Sequence, residues 1–410
     1  CLTMKPEKMT KTKLRVLLSL LMMSACLVMA CDDDDSDLDP IRKPTPTTNK
    51  AVLITDEAKL EMIYSLSDLE IDKGRIYEMN YTADYKLDVA LQYDIDGAES
   101  LTEFVKKELL DVSLGSKAAL SYDAGCSAFA CPDKKGKEFL MGRNFDFNHI
   151  VNGNRVMIPV IAVRTAPRGG KKSISFVDGL FINYTSGFYT DGKSDLSMLM
   201  ALPYLMMDGI NEDGFAISVL KLDGKPTLQQ DPGKKKIFTT VAMRMLLDRA
   251  STVDQAISML KEYNMCMDKD PRASYHFFMA DAKGNYAIVE YVDSDIKVNP
   301  SKMEVLTGAD TLRYVTNFYV SPTMKNTPYG SIESTHGKDR YNVLKESLKA
   351  QNYRLTEAQV MEILGKVYQG PKSEGSTGFT QWSEMINLSD KEVEMSILGE
   401  YNKTFEFEVD

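Results

Sequence analysis

The sequence predicts an α+β fold, antiparallel sheets covered by helices, on three observations. Strand-like segments follow one another in succession, helical segments are inserted between them in pairs, and Asp281-Ala282-Lys283-Gly284-Asn285 joins two strands as a hairpin turn. A doubly wound parallel sheet would instead alternate strand and helix one by one. The 410 residues are 43% hydrophobic and 26% charged, enough apolar material for a large core.

Taken in order, 56–69 reads as helix, 75–93 as strands and 100–110 as helix. From residue 126 strands dominate: 126–130, 138–147, 155–165 and 173–181 are rich in β-branched and aromatic residues. A helix is expected over 196–207. The turn Asn211-Glu212-Asp213-Gly214 then leads into a strand over 215–222. Helices follow at 239–250 and 253–263, the second capped by Ser251 and Thr252. Strands return at 275–280 and 286–292. Helices at 338–350 and 356–368 precede a C-terminal pair of segments, 381–388 and 392–401. No glycine-rich phosphate loop follows any of these strands, so no nucleotide site is expected.

The N-terminus reads as a targeting segment. Met9 to Arg15 is short and basic, and 16–30 is an apolar run too short to span a bilayer comfortably, so 1–30 is expected to be a secretory signal. Residues 1–3, ahead of Met4 and Met9, read as an upstream extension. The run ends Val28-Met29-Ala30-Cys31, which resembles a bacterial lipobox, with Cys26 as a competing site. Cys31 is favoured because Asp32 to Asp35 follow, and acidic residues there resemble surface-display signals of some Gram-negative lipoproteins. Residues 31–50 would then be a lipidated cysteine with an acidic and Pro/Thr-rich tether. The protein would be an exported bacterial lipoprotein, held at the membrane in the periplasm or at the cell surface.

Charge and cysteines narrow the chemistry. The net charge is −10, although residues 1–30 carry five basic side chains against one acidic. An acidic body with no basic stripe is a poor partner for nucleic acid. With Cys1 and Cys26 set aside and Cys31 given to lipid, Cys126, Cys131 and Cys266 remain. Three is odd, so at least one thiol is unpaired, which an exported protein avoids unless the thiol is used. A Cys131–Cys266 disulfide stays open. There is no CxxC, and with three histidines in the whole chain no zinc site is expected.

The segment Asp123-Ala124-Gly125-Cys126-Ser127 reads as a turn feeding a strand that begins at Cys126. The next strand carries Gly142-Arg143-Asn144-Phe145-Asp146-Phe147. Period-two alternation puts Phe145 and Phe147 on one face and Asn144 and Asp146 on the other. If the strands pair, an Arg and an Asp come near a thiol; Arg would favour the thiolate, and Asp could orient a neighbouring proton. Taken singly, Cys126 reads as a small buried hydrophobe and His276 as a hydrogen-bonded strand histidine. His149, just past this motif, is a candidate to border a pocket. The Met-rich stretch 196–207 reads as core filling or as an acyl pocket lining.

Together these pieces resemble the cysteine N-terminal nucleophile (Ntn) hydrolases of the choloylglycine hydrolase type, which include penicillin V acylases and isopenicillin-N acyltransferase-like proteins. Cys126 matches the nucleophile, and Arg143 and Asp146 match a GRNxDW-like motif with Phe147 where Trp is commoner. Asn211-Glu212-Asp213-Gly214 matches an N-E-x-G turn. Tyr314-Val315-Thr316-Asn317 matches the segment carrying an oxyanion Asn. Residues 334–341, ending Asp339-Arg340-Tyr341, match a late S…RY motif, and Thr380-Gln381-Trp382-Ser383 a T-x-W-S strand. Lys221 stands where the family often has Asn or Tyr as a second oxyanion or substrate contact. The resemblance implies a four-layer αββα sandwich of two antiparallel sheets, with 51–125 as propeptide or small subunit and 126–410 as catalytic domain.

It also implies a mechanism. Self-cleavage at Gly125–Cys126 would free the α-amine of Cys126, which then serves as base for its own thiol; in the uncleaved chain that nitrogen is an amide and cannot take a proton. Gly125 would permit a strained turn at the cut. Asp146 would orient the amine, Arg143 bias the thiol and hold Asp146, Asn317 stabilise the oxyanion and Arg340 organise the site. The expected reaction is hydrolysis of a linear, non-peptide amide of a small N-acyl substrate, with no cofactor. Transfer of the acyl group to an amine, or a non-catalytic ligand-binding lipoprotein on the same fold, are the competing readings. A homo-oligomer is left open.

Overall fold

Alternation along the strands decides the architecture, which the computed structural model describes for residues 47–70, 73–112, 124–151, 154–267, 274–293, 302–331, 336–370 and 379–409. The expected signal, Cys31 with its expected lipid, most of the tether and Ser334 lie outside the described residues.

The chain lays down α1 (Glu57–Tyr64), β1 (Ser67–Asp68), β2 (Ile76–Tyr81), α2 (Leu87–Ala90) and α3 (Ala98–Glu108). A long antiparallel hairpin follows, β3 (Ala124–Pro132) and β4 (Phe139–Phe147), then a small one, β5 (Ile150–Val151) and β6 (Asn154–Arg155). Next come β7 (Val160–Thr165), β8 (Ser173–Asp178), β9 (Met206–Asn211) and β10 (Ala216–Leu222). β11 (Lys235–Phe238) runs into α4 (Thr239–Arg249) and α5 (Val253–Leu260), and β12 (Tyr263–Cys266) pairs back onto β11 in parallel. β13 (Ser274–Ala280), β14 (Tyr286–Val292), β15 (Lys302–Leu306) and β16 (Tyr314–Val315) follow. Helices α6 (Lys338–Ala350) and α7 (Glu357–Lys366) precede β17 (Thr380–Asn387), β18 (Glu392–Ile397) and β19 (Thr404–Glu408).

Two large sheets result. One has nine strands in the order β1-β2-β7-β8-β9-β10-β13-β14-β15, the other six in the order β16-β3-β4-β17-β18-β19. Alternate residues of each strand enter different cores. Val160 and Ala162 join Cys126, Ala128, Phe145, Phe278 and Trp382 between the sheets. Ile161 and Val163 face outward onto a second core with Phe104, Val241, Leu246 and Leu260 of the helices. On the far side of the six-stranded sheet, Phe129, Cys131 and Leu140 pack on Leu344 and Leu348 of α6 and Leu364 of α7. The four layers are therefore helix, sheet, sheet, helix, as expected.

Several local readings differ, each for a physical reason. The 196–207 stretch is a 3-10 helix, Leu196–Tyr204, capped by Asp195 and carrying Pro203, which has no N–H to give an α-helical ladder. It packs in the outer core of the nine-stranded sheet, away from Cys126. The 75–93 strand stops at Tyr81: the Asp84 side chain takes the backbone N–H of Lys86, which adopts φ 55° and starts α2. Within the two large sheets the antiparallel expectation fails at one pair, since β2 lies parallel to β7; the separate β11–β12 pair is parallel as well. A long connection containing the β3–β4 hairpin separates β2 from β7, so no tight turn dictates their direction. The C-terminal pair gains a third strand, β19.

The segment ahead of Cys126 is thus built into the same sheet as the strands after it. Ile76–Tyr81 forms six register pairs with Val160–Thr165, and Arg75 bonds Glu400 near the C-terminus. The Asn211–Gly214 turn also joins layers. Gly214 has φ +76°, and a Cβ there would meet the Leu388 carbonyl oxygen at 2.1 Å, so only glycine fits.

Candidate active site

The site forms where the six-stranded sheet runs out of partner strand. β16 has two residues and pairs with β3 only at Ala128 and Phe129. Cys126, two residues earlier, points its ladder N–H and C=O at an open edge. Such groups need other partners when buried, and side chains supply them. The N–H of Cys126 donates to Asn317 Oδ1 at 2.7 Å, and its carbonyl accepts from Arg340 Nη1. Arg340, in the first turn of α6, also donates to Ser127 Oγ at 3.0 Å and to Asn317 Oδ1 at 2.7 Å. Asn317 Nδ2 donates to the backbone carbonyl of Lys221 at 2.8 Å, leaving one N–H of that amide.

Strand parity divides the remaining residues. In the β3–β4 ladder Cys126 stands opposite Phe145, Ala128 opposite Arg143, and Gly125 opposite Asp146. Cys126, Arg143 and Phe145 therefore share the inter-sheet face, while Asp146 lies on the helix-covered face. The guanidinium of Arg143 hydrogen-bonds the thiol and donates to Asp208 Oδ2 at 3.2 Å and to the Val219 carbonyl at 2.9 Å. Burial opposes its charge most, yet the charges of Cys126 and Asp208 hold it above the usual arginine range. Phe145 stacks on Trp382 with centroids 4.1 Å apart, walling this face with aromatic rings.

On the other face Asp146 is fully buried. It accepts from Thr380 Oγ1 at 2.6 Å and Gln369 Nε2 at 2.5 Å, with Arg340 Nη1 at 3.3 Å. Burial pushes its carboxyl up, against the pull of Arg340 and these donors. Asp146 thus reaches the nucleophile's backbone through Arg340; it is held by Arg340 and not, as expected, by Arg143, which lies on the opposite face and bonds Asp208. Gly125 is not in a turn but in the regular ladder of β3, without positive φ. A Cβ there would stand 2.8 Å from Gln369 Nε2 and 3.3 Å from Arg340 Nη2, so a larger residue would shift the side chains that Asp146 draws on. Lys221 contributes its main chain to Asn317; its side chain is half-buried on β10.

The structure accordingly brings together Gly125, Cys126, Arg143, Asn317 and Arg340, with Asp146 behind Arg340. Cys131 and Cys266 are free thiols, and burial pushes Cys131 up to about 12, an inert state. His149 bonds Asp178 at 2.7 Å and lines a cavity of about 290 Å³ with Arg155, Met157, Phe379 and Gln381. Among the described residues no cluster of His, Cys, Asp or Glu is arranged to hold a metal.

Two residues behind Arg143 escaped the sequence reading. Asp208 of β9 holds Arg143 and accepts from Trp382 Nε1 at 3.2 Å; Glu384 of β17 stands opposite Arg143 in the β4–β17 ladder. Both are fully buried. The signal was present: each acid sits at an inward position of an apolar alternation, beside Ile210 in one strand and between Trp382 and Ile386 in the other. Burial pushes Asp208 up to about 6, and burial with the neighbouring Asp208 pushes Glu384 well above the carboxylate range. A raised folded-state pKa means the fold keeps a proton that the unfolded chain has already released, so stability is full below the unfolded value and falls as pH rises through the folded one. Melting temperature is therefore expected to fall as pH rises above about 4, and Glu384→Gln, which mimics the protonated acid, to flatten that fall. Calorimetric melting curves of the two proteins that stay parallel across this range would refute the assignment.

Comparison with known proteins places this geometry. Residues 126–352 match the linear amide C-N hydrolases, choloylglycine hydrolase family, so the match begins at Cys126. A penicillin V acylase of Pectobacterium atrosepticum is 25% identical over 213 residues, which cover 50% of this chain and 53% of that protein. The chain thus spans about half the length of the curated relative it matches. Among solved structures, a mutant conjugated bile acid hydrolase from Clostridium perfringens has TM-score 0.45 and 13% identity, over 69% of this chain and 92% of that one. Penicillin V acylase from Agrobacterium tumefaciens has TM-score 0.43 and 18% identity, over 66% and 83%.

Proposed function

The chain belongs to the linear amide C-N hydrolases of the choloylglycine hydrolase family, and from that premise we propose that it hydrolyses a linear, non-peptide amide of an N-acyl substrate with Cys126 as nucleophile. The observation that carries this reading is the seat built for the nitrogen of Cys126. That nitrogen lies 2.7 Å from an Asn317 oxygen which Arg340 also holds, beside a thiol that touches Arg143.

In the first event the Cys126 sulfur attacks the Gly125 carbonyl carbon, the C–N bond breaks and the nitrogen takes a proton. Water then cleaves the resulting thioester. The product has a free amine at residue 126, still seated on Asn317. That amine next accepts the thiol proton, the thiolate attacks the substrate carbonyl, and the protonated amine returns its proton to the leaving nitrogen. A thioester on Cys126 remains until water releases the acid. Arg143 favours the thiolate, and the remaining N–H of Asn317 is available to the oxyanion. Arg340 with Asp146 behind it fixes the backbone of Cys126 and Ser127. Water is the only co-reactant, so no cofactor is required.

The relatives are named for penicillin V and conjugated bile acids; an amide joining a bulky acyl group to an amine is the substrate class proposed for this chain. A panel of such amides, with intact-mass trapping of an acyl group on Cys126, tests the reading. Lipid attachment at Cys31 is proposed to tether the enzyme to a membrane after export.

Cleavage need not separate the pieces. Residues 76–81 pair along their length with 160–165, and Tyr81, Leu101 and Phe104 share one core with Leu199 and Leu246. The two chains are expected to migrate apart on a denaturing gel yet to elute as one species in native size-exclusion chromatography. Loss of the N-terminal piece under native conditions would overturn this.

A further inference from the structure

Asn317 follows a two-residue strand and lies in an irregular segment, so nothing in a β-ladder fixes where its side chain points. The backbone of this segment is held from the opposite sheet. His276 of β13 and Glu290 of β14 are both fully buried, and both face the inter-sheet layer, having the strand parity of Phe278 and Ile288. His276 Nε2 lies 2.8 Å from the carbonyl oxygen of Thr316, and Nδ1 3.1 Å from Glu290 Oε1. Glu290 in turn accepts the backbone N–H of Val320 at 2.9 Å on Oε1 and that of Ser321 at 3.0 Å on Oε2. The Thr316 carbonyl only accepts, so His276 Nε2 donates to it, which leaves Nδ1 facing Glu290 Oε1.

We propose that His276 and Glu290 are positioning residues that clamp segment 316–321 to the nine-stranded sheet, and so hold Asn317 against the nitrogen of Cys126. The catalytic part of this inference rests on the function proposed above. Three backbone groups flanking Asn317 end on this one pair. Asn317 adds a fourth tie to the same sheet through the Lys221 carbonyl, and Thr316 Oγ1 donates at 3.0 Å to the carbonyl of Gly337, which precedes α6 and its Arg340. The pair therefore sets the spacing between the two sheets at the nucleophile. A displacement of about 1 Å at a reacting group can cost on the order of 10²-fold in rate.

The test uses the full chain with Glu290→Gln, His276→Gln and the double replacement His276→Leu with Glu290→Met. Removing one partner of a buried pair is strongly destabilising, whereas replacing both by apolar side chains of similar size often is not. Two measurements are read together. In uncleavable protein carrying Cys126→Ala, the amide hydrogen of residue 126 is expected to exchange about tenfold faster or more in the clamp variants. In cleavable protein, turnover per Cys126 titrated with iodoacetamide is expected to fall about 10²-fold with KM within about twofold, including in a double variant that melts like wild type. Unchanged exchange at residue 126, or wild-type turnover per titrated thiol, in a folded clamp variant would overturn the proposal. If instead the unmodified chain neither cleaves nor acylates, the functional reading fails, and the exchange measurement still decides whether the clamp exists.

Discussion

Cys126→Ala is expected to yield one unbroken chain that turns over no amide while melting close to the unmodified protein. The physical case is asymmetric. Structurally, the change removes one sulfur from a residue 2% exposed in a mixed aliphatic and aromatic core, a cavity worth about 1 kcal/mol. The backbone bonds from residue 126 to Asn317 and Arg340 do not involve the side chain and persist. Chemically, everything is lost: no atom attacks the Gly125 carbonyl, so no amine is freed, and no atom accepts the acyl group. Activity should drop by roughly 10⁶-fold, the scale of removing a covalent nucleophile. Intact mass and turnover on a responsive amide check both halves. A cleaved, active Cys126→Ala protein would end the proposed chemistry.

Arg340→Met is expected to have the largest effect on stability and cleavage together. Arg340 satisfies the Cys126 carbonyl, Ser127 Oγ, Asn317 Oδ1 and, at 3.3 Å, Asp146. Methionine fills comparable volume but leaves Asp146 as a buried charge with only Thr380 and Gln369 as donors. Breaking a buried pair from one side costs about 3–5 kcal/mol. The sign with pH follows from Asp146. Burial already pushes that carboxyl up and Arg340 opposes it. Without Arg340 it rises further, so the variant holds a proton that the unfolded chain has released, and its deficit grows as pH rises and shrinks toward acid. Melting temperatures measured against pH should draw closer toward about pH 4, leaving only the pH-independent loss of the bonds to Cys126, Ser127 and Asn317. The loosened Cys126 carbonyl and Asn317 should also slow the break at Gly125–Cys126, visible by mass as persisting uncleaved chain. A constant stability deficit across pH would show that Arg340 does not act through Asp146.

Much of the site was legible from local pattern. The parity of Phe145 against Asp146 predicted two faces, and the ladder places Arg143 with the thiol and Asp146 away from it. The role expected of Gly125 differs in origin. Sequence suggested a strained turn; the structure shows a regular strand where Gln369 and Arg340 crowd the place of a Cβ. Those neighbours lie more than two hundred residues away in the chain, so no local pattern could reveal the clash. Asp208 and Glu384 were visible as acids at inward strand positions, but their meeting at Arg143 needs three strands from two sheets.

By itself the sequence determined the periodicities, hence most of the strands and helices, the inward or outward parity of side chains along the strands, and the order of the chemical groups from Cys126 to Trp382. These depend on the pleat and on backbone preferences, which act over a few residues. Tertiary structure alone decided that β16 is too short to cover Cys126, so that Asn317 and Arg340 complete the nucleophile's hydrogen bonds. It also decided that β2, from ahead of the nucleophile, lies parallel within the larger sheet. Pairing across long connections is set by which arrangement buries the most apolar surface and leaves the fewest polar groups unsatisfied, a property of the whole packed chain.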